Sequence, residues 1–224
     1  MHLTVKKIHV IRNKVNEIIE KKQLKINCPE IIAVSKTFPS SVVLPLLESG
    51  HIHFGESKVQ EAIAKWSGLK KKYLNIKLHF VGKLQSNKAK KAIQFFDYIH
   101  SLDSEQLALS LEKYQKAMKK KVNFFIQVNV GNEVQKNGIM LNDLKDFYNY
   151  CTNVLSLDVV GLMCLPPLVE NSEKYFKILK SASDSLNLKN LSIGMTHDYD
   201  KAILHGSTYL RLGTAIFGKR KFNQ

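Results

Sequence analysis

Eight short β-rich runs recur along this chain, each parted from the next by a polar or helical stretch: "IIAVSK" (31–36), "HIHFGE" (51–56), "KLHFVG" (77–82), "YIHSLD" (98–103), "FFIQVNV" (124–130), "DVVGLMCL" (158–165), "LSIGM" (191–195) and "TYLRLG" (208–213). The stretches between them carry apolar residues at helical spacing, as in "SEQLALSLEKYQKAMKKK" (104–121) and "NSEKYFKILKSASDSL" (171–186). The turns supply Ser, Asn, Asp or Gly where helix caps are needed. Strands that alternate with helices return to their sheet through right-handed parallel crossovers. Eight such units predict a closed (β/α)8 barrel, a TIM barrel, in preference to an open doubly wound sheet. The first strand lacks the GxGxxG that a dinucleotide-binding sheet would place after it. Ahead of that strand, "MHLTVKKIHVIRNKVNEIIEKK" has the spacing of an extra N-terminal helix. No linker or composition break divides the chain, so residues 1–224 are expected to form one domain.

At 224 residues the chain can bury about 70% of its unfolded surface, and 44% hydrophobic with 24% charged residues is the balance of a soluble globular protein. No apolar stretch approaches the roughly 18 residues of a membrane span. The N-terminal segment lacks the apolar core and small-residue cleavage site of a signal peptide, so a cytoplasmic protein is expected, with no membrane partner. Cys28, Cys151 and Cys164 are odd in number and widely separated, which suggests neither a disulfide framework nor a zinc site. The net charge of +15 raises the question of a polyanionic partner. Only three of the 34 basic residues are arginine (Arg12, Arg211 and Arg220), the side chain suited to bidentate phosphate and base contacts. The densest basic stretch, "KYQKAMKKK" (113–121), ends a helical pattern, where cations complement the helix dipole. No stretch interleaves aromatic and basic residues for stacking on bases. A solvated face is expected, with no specific nucleic acid.

The active site of such a barrel lies at the C-terminal ends of its strands, and a phosphate is often held after strands seven and eight. Read that way, the candidate residues are Lys36, Glu56, Gly82 with Lys83, Asp103, Asn129, Met163 with Cys164, Met195 with Thr196, and Arg211 with Gly213 and Thr214. They are unusually polar for strand ends that face one mouth. Lys36 closes an apolar run, and partial desolvation there favours the neutral amine that attacks carbonyls. The bland alternative is a lysine that snorkels past the rim to solvent. In "SIGMTHDYDKAILHGSTYLRLGTAIFG" (192–218), Thr196 offers a hydroxyl, and Gly213 and Thr214 offer backbone N–H groups at the expected phosphate position. A phosphate-bearing aldehyde fits both ends. Arg211 shares a strand face with Gly213 and, once buried, demands a partner, for which Glu56 and Asp103 are the carboxylates in view. Two other enzyme readings stand beside this one. His51 and His53, two apart on one strand, could bind zinc in a metal-dependent barrel hydrolase, and Lys36 could serve a Schiff-base enzyme acting on a small phosphorylated substrate.

The ordered segments "AVSKTFP", "HFGESKVQEA", "LHFVGKLQSNK", "SLDS", "QVNVGNEVQKNGI", "GLMCLPP" and "GMTHDYDKAILHGSTYLRLGTAIFGKR" resemble the motifs of the pyridoxal phosphate homeostasis protein (YggS/PROSC) family across residues 31–220. The resemblance implies a single barrel similar to the N-terminal domain of alanine racemase, the fold-type III arrangement, with pyridoxal 5′-phosphate (PLP) as cofactor. It implies that Lys36 forms the imine, that Arg211 faces the pyridine nitrogen, and that Thr196, Gly213 and Thr214 hold the phosphate. His79, Asn87, Asn129 and Met163 match family positions around the pocket. Two departures are visible: Ser57-Lys58 stands where Asn-Arg is usual, and Thr196 where serine is common. The implied function is a PLP carrier and regulator of vitamin B6 and amino-acid balance, a monomer with PLP-dependent apo-enzymes as candidate partners. Racemase activity is not expected, since a donor-only arginine at the pyridine nitrogen weakens the electron sink and the chain ends at Gln224 without a second domain.

Overall fold

The computed structural model describes residues 1–131, 133, 137–167 and 171–219. The eight β-rich runs become β1 (Glu30–Val34), β2 (His53–Glu56), β3 (Lys77–Phe80), β4 (Tyr98–Leu102), β5 (Asn123–Gln127), β6 (Val159–Met163), β7 (Asn190–Ser192) and β8 (Tyr209–Leu212). They pair in parallel in sequence order, and β8 closes on β1 with Arg211 opposite Ile32. The closed (β/α)8 barrel expected from the alternation is the architecture observed.

Helices between the strands are α2 (Ser40–Glu48), α3 (Val59–Lys72), α4 (Ala89–Phe95), α5 (Glu105–Met118), α6 (Leu144–Asn149), α7 (Ser172–Ser185) and α8 (Tyr199–Leu204), with α9 (Thr214–Phe217) after β8. The N-terminal helix α1 (Leu3–Lys21) buries Val5, Ile8, Ile11 and Val15, one stripe at helical spacing. It packs against α2, α8 and α9. Because α9 has only four residues, α1 fills the place in the outer ring between α8 and α2. The main core lies between this ring and the sheet, where Phe54, Trp66, Phe80, Phe96 and Phe176 are fully buried.

The strands are shorter than the runs that announced them. The run 31–36 leaves the ladder after Val34, 124–130 after Gln127, 158–165 after Met163 and 191–195 after Ser192. Ser35, Val128, Asn129, Val130, Cys164 and Ile193 are nevertheless buried. An apolar run reports burial, and at the mouth of a barrel the chain stays buried for a few residues after it flares away from its neighbour. Those flared ends build the site.

Candidate functional site

A cavity of about 740 Å³ opens at the C-terminal ends of the strands, within the size range of small-molecule sites. Its polar wall brings together Lys36, Asn129, Thr196, Arg211, Gly213 and Thr214, and Val34, Val81, Val128, Leu165 and Met195 supply apolar surface. Three expected pocket residues are not among its lining. His79 is fully buried in the barrel interior and Met163 occupies the last ladder position of β6, both below the mouth. Asn87 is exposed on the outer surface and does not line the cavity.

Lys36 is half-buried in a tight turn that begins where β1 ends; the Phe38 N–H donates to Ser35 O at 3.1 Å. Thr37 takes a φ of +70°, a left-handed conformation that a β-branched residue holds only at a cost of roughly 1–3 kcal/mol. An ion pair behind the turn opposes that cost. Lys65 of α3 donates from Nζ to Ser35 O at 2.7 Å and Phe38 O at 2.9 Å, the two carbonyls that bracket Lys36. The same ammonium lies 2.6 Å from Glu56 Oε1, which also accepts from Ser35 Oγ at 2.7 Å and Trp66 Nε1 at 3.0 Å. Glu56 is therefore the anchor behind the Lys36 turn, with no place at the mouth. Phe38 stacks on Phe217 of α9 with ring centroids 5.2 Å apart.

Arg211 is buried, and neither expected carboxylate is its partner. Nη1 donates to Ser192 O and, at 2.7 Å, to Ser192 Oγ, while Nη2 donates to Cys164 O at 2.8 Å. Burial pulls the guanidinium down to about 10, with Cys164 and Asp198 acting in the opposite direction, so it remains charged at neutral pH. Asp103 directly follows β4, where burial raises its carboxyl and Lys83 opposes the rise.

The corner after β7 and β8 is built from backbone donors. Thr196 Oγ1 accepts from Ala215 N–H at 3.2 Å, and the N–H groups of Ile216 and Phe217 turn back to Gly213 O. The Thr214 N–H has no acceptor among the described residues. It stands at the start of α9 beside the Thr196 hydroxyl. A Cβ on Gly213 would meet Val34 O at 3.4 Å and Val34 Cβ at 3.8 Å, ordinary contacts, so the backbone here leaves room for a side chain. Across the mouth, the segment after β5 is sewn to the barrel. Asn129 N–H donates to Ile139 O at 2.9 Å, Ile139 N–H to Gln127 O at 2.8 Å, and Gln127 Nε2 to Asn137 O at 3.0 Å. Asn129 Nδ2 donates to Glu133 O at 2.8 Å.

The zinc reading of His51 and His53 does not have the geometry. His51 lies just ahead of β2, where its Nδ1 accepts from Arg12 and its Nε2 donates to His53 O, while the His53 ring enters the barrel toward His79. Among the described residues no group of three or more His, Cys, Asp or Glu side chains is placed to hold a metal ion. Ser57, one of the two departures, packs its backbone against Gly82, where a Cβ would come within 2.4 Å of Ser57 O. Lys58 forms a surface ion pair with Glu61 at 2.7 Å.

Residues 11–221 match the model of the alanine racemase N-terminal domain family. Over 207 residues, 88% of this chain and 89% of the relative, the chain is 38% identical to the pyridoxal phosphate homeostasis protein of Aquifex aeolicus. The chain belongs to the pyridoxal phosphate homeostasis protein family. Among solved structures, PipY, the COG0325 family member of Synechococcus elongatus, with PLP bound, superposes with a TM-score of 0.79 at 30% identity, covering 91% of this chain and all of that one. Alanine racemase of Clostridium difficile shares the fold, with a TM-score of 0.64 at 14% identity over 95% of this chain and 57% of the racemase.

Three contributors to the site carried no signal in the sequence. Lys65 is one lysine among many on a helix surface, Ser192 lies within an apolar run, and Cys164 acts through its carbonyl. Each is brought to the site by barrel closure alone.

Proposed function

We propose that this family member binds PLP in the mouth cavity and serves as a carrier and regulator of the cofactor, with no role as an amino-acid racemase. One observation carries the reading: a half-buried lysine, a corner of backbone and hydroxyl donors, and a buried guanidinium line a single cavity. That donor set fits a phosphorylated aromatic aldehyde. Lys36 is assigned the amine that anchors the aldehyde carbon. Thr196 Oγ1 and the N–H groups of Gly213 and Thr214 are assigned the phosphate, and Arg211 the ring nitrogen. Val34, Val128, Leu165 and Met195 would flank the ring and exclude water. PLP bound at an enzyme supplies an electron sink whose strength depends on protonation of its ring nitrogen. Arg211 offers only donors, which favours the unprotonated nitrogen and a weak sink, the state suited to storing the aldehyde. Asn129 holds the wall opposite through Glu133. The PLP bound to PipY supports the cofactor, and the name shared by the curated relatives supports the homeostatic role.

The purified protein is expected to be yellow, and borohydride should fix the cofactor on Lys36, as read by peptide mass mapping. Lys36→Ala should abolish the adduct. Labelling at Lys83 or another lysine of a folded protein would overturn the assignment.

A further inference from the structure

Below the mouth, buried side chains run in single file across the barrel interior. His53 Nδ1 is 2.9 Å from His79 Nε2, His79 Nδ1 is 2.9 Å from His100 Nε2, and His100 Nδ1 is 2.9 Å from Ser192 Oγ. Ser192 Oγ accepts from Arg211 at the mouth. At the other end His53 Nε2 lies 3.6 Å from Glu30 Oε2, whose side chain is 57% exposed. The file joins the solvent at the barrel floor to the guanidinium in the cavity wall.

Its direction follows from its ends. Arginine only donates and a carboxylate only accepts. Having accepted from Arg211, the Ser192 hydroxyl still has one hydrogen to place, and His100 Nδ1 is the acceptor within reach among the described residues. If His100 donated instead, that hydrogen would be buried unpaired, at a net loss. His100 therefore keeps Nδ1 bare and donates from Nε2 to His79 Nδ1. His79 in turn donates from Nε2 to His53 Nδ1, and the His53 Nε2–H points to Glu30, too far for a hydrogen bond but oriented by its charge. Both ends impose the same sense. The rings cannot readily turn: His79 stacks on Tyr98 and His100 on Phe125, each pair 4.3 Å apart and within about 10° of parallel. The surroundings keep the imidazoles neutral. Burial leads in lowering all three, reinforced by Arg211 at His100, by His51, Lys77 and the neighbouring rings at His79, and by Lys77 at His53, where Glu30 pulls the other way. Tyr209 of β8 lies within ring-contact distance of all three imidazoles, and burial and Tyr98 push its hydroxyl above its ordinary range, so it remains protonated.

We propose that His53, His79 and His100 are positioning residues: a file of neutral imidazoles that carries one hydrogen-bond sense from Arg211 to Glu30 and so holds Arg211 in a single orientation at the cavity. The consequence for PLP rests on the function proposed above; the sense of the file does not.

Two-bond proton–nitrogen correlation spectra of the cofactor-free protein near neutral pH should show all three rings protonated at Nε2 and bare at Nδ1. A ring protonated at Nδ1, or an imidazolium among the three, would overturn the proposal even if PLP never binds. The link to Arg211 is tested by cutting the file at His79. In His79→Gln the amide can accept from His100 and donate to His53, preserving the sense, so PLP affinity should stay within about threefold of the parent. His79→Phe keeps a stacked ring but cannot relay, and should weaken PLP binding by about tenfold, the loss of one hydrogen bond to a charged group. Equal affinity in folded Phe and Gln variants would show that the file does not act on Arg211. Should either variant fail to fold, the tautomer pattern of the parent decides.

Discussion

Lys36 depends on a residue that never touches the cavity. Lys65 fastens both carbonyls of the turn and neutralises Glu56, and the pair is nearly sealed, with side-chain exposures of 10% and 1%. Lys65→Met keeps the stem but leaves the Glu56 carboxylate buried against Ser35 and Trp66 alone. Loss of one partner of a buried pair costs roughly 3–5 kcal/mol. We expect a lower thermal midpoint and weaker cofactor retention, because the turn at Thr37 loses the bonds that hold its left-handed backbone. Lys65→Met combined with Glu56→Gln should recover most of the stability without recovering affinity. Recovery of both would show that the pair contributes stability only, with no part in presenting Lys36.

Among the elements at the mouth, the segment after β5 has a geometry that leaves no tolerance at Gly138. Gly138 has a φ of +129°, and a Cβ there would lie 2.7 Å from Asn129 N and 2.9 Å from Val128 C. Both are backbone atoms that cannot swing aside. Gly138→Ala should therefore break the bonds of Asn129 and Ile139 that sew this wall to β5, at a cost of roughly 1–3 kcal/mol. The barrel should stay folded, since its ladder is elsewhere, while PLP affinity falls by about tenfold or more. Titration of the folded variant with PLP checks this; parental affinity would mean that the wall contributes nothing to binding. The N-terminal helix is a contrasting element. It owes its place to an apolar stripe that the incomplete outer ring needs to cover.

For the whole molecule, the buried histidines set the response to acid. His51 is lowered to about 3, chiefly by burial and then by Arg12, and burial likewise lowers His53, His79 and His100. Unfolded, each would titrate near 6.5. As pH falls through that value the unfolded chain gains protons that the folded chain refuses, so stability is full above it and drops below it. The limiting slope is about 1.4 kcal/mol per pH unit for each histidine that takes its proton only on unfolding. Urea midpoints of the cofactor-free protein should therefore decline by several kcal/mol equivalent between about pH 7.5 and 5.5, above the range where most carboxylates titrate. A flat profile would show that the rings accept protons in place, and would count against the neutral file as well.

The alternation of runs determined the barrel, because parallel strands joined by helices have few ways to bury both faces of a sheet. The same reading placed Lys36, Thr196, Arg211 and Gly213 at one mouth, since strand ends share a face once the barrel closes. The partners of those residues were decided only by the tertiary structure. Arg211 was expected to meet Glu56 or Asp103 and meets the carbonyls of Ser192 and Cys164 instead. His79 was expected in the pocket and lies in the interior, joined to rings 26 and 21 residues away. Periodicity tells which side of a strand a residue faces and how deeply it is buried. Which side chain stands across a closed barrel depends on register and stagger among eight strands, and no local pattern in the chain encodes that.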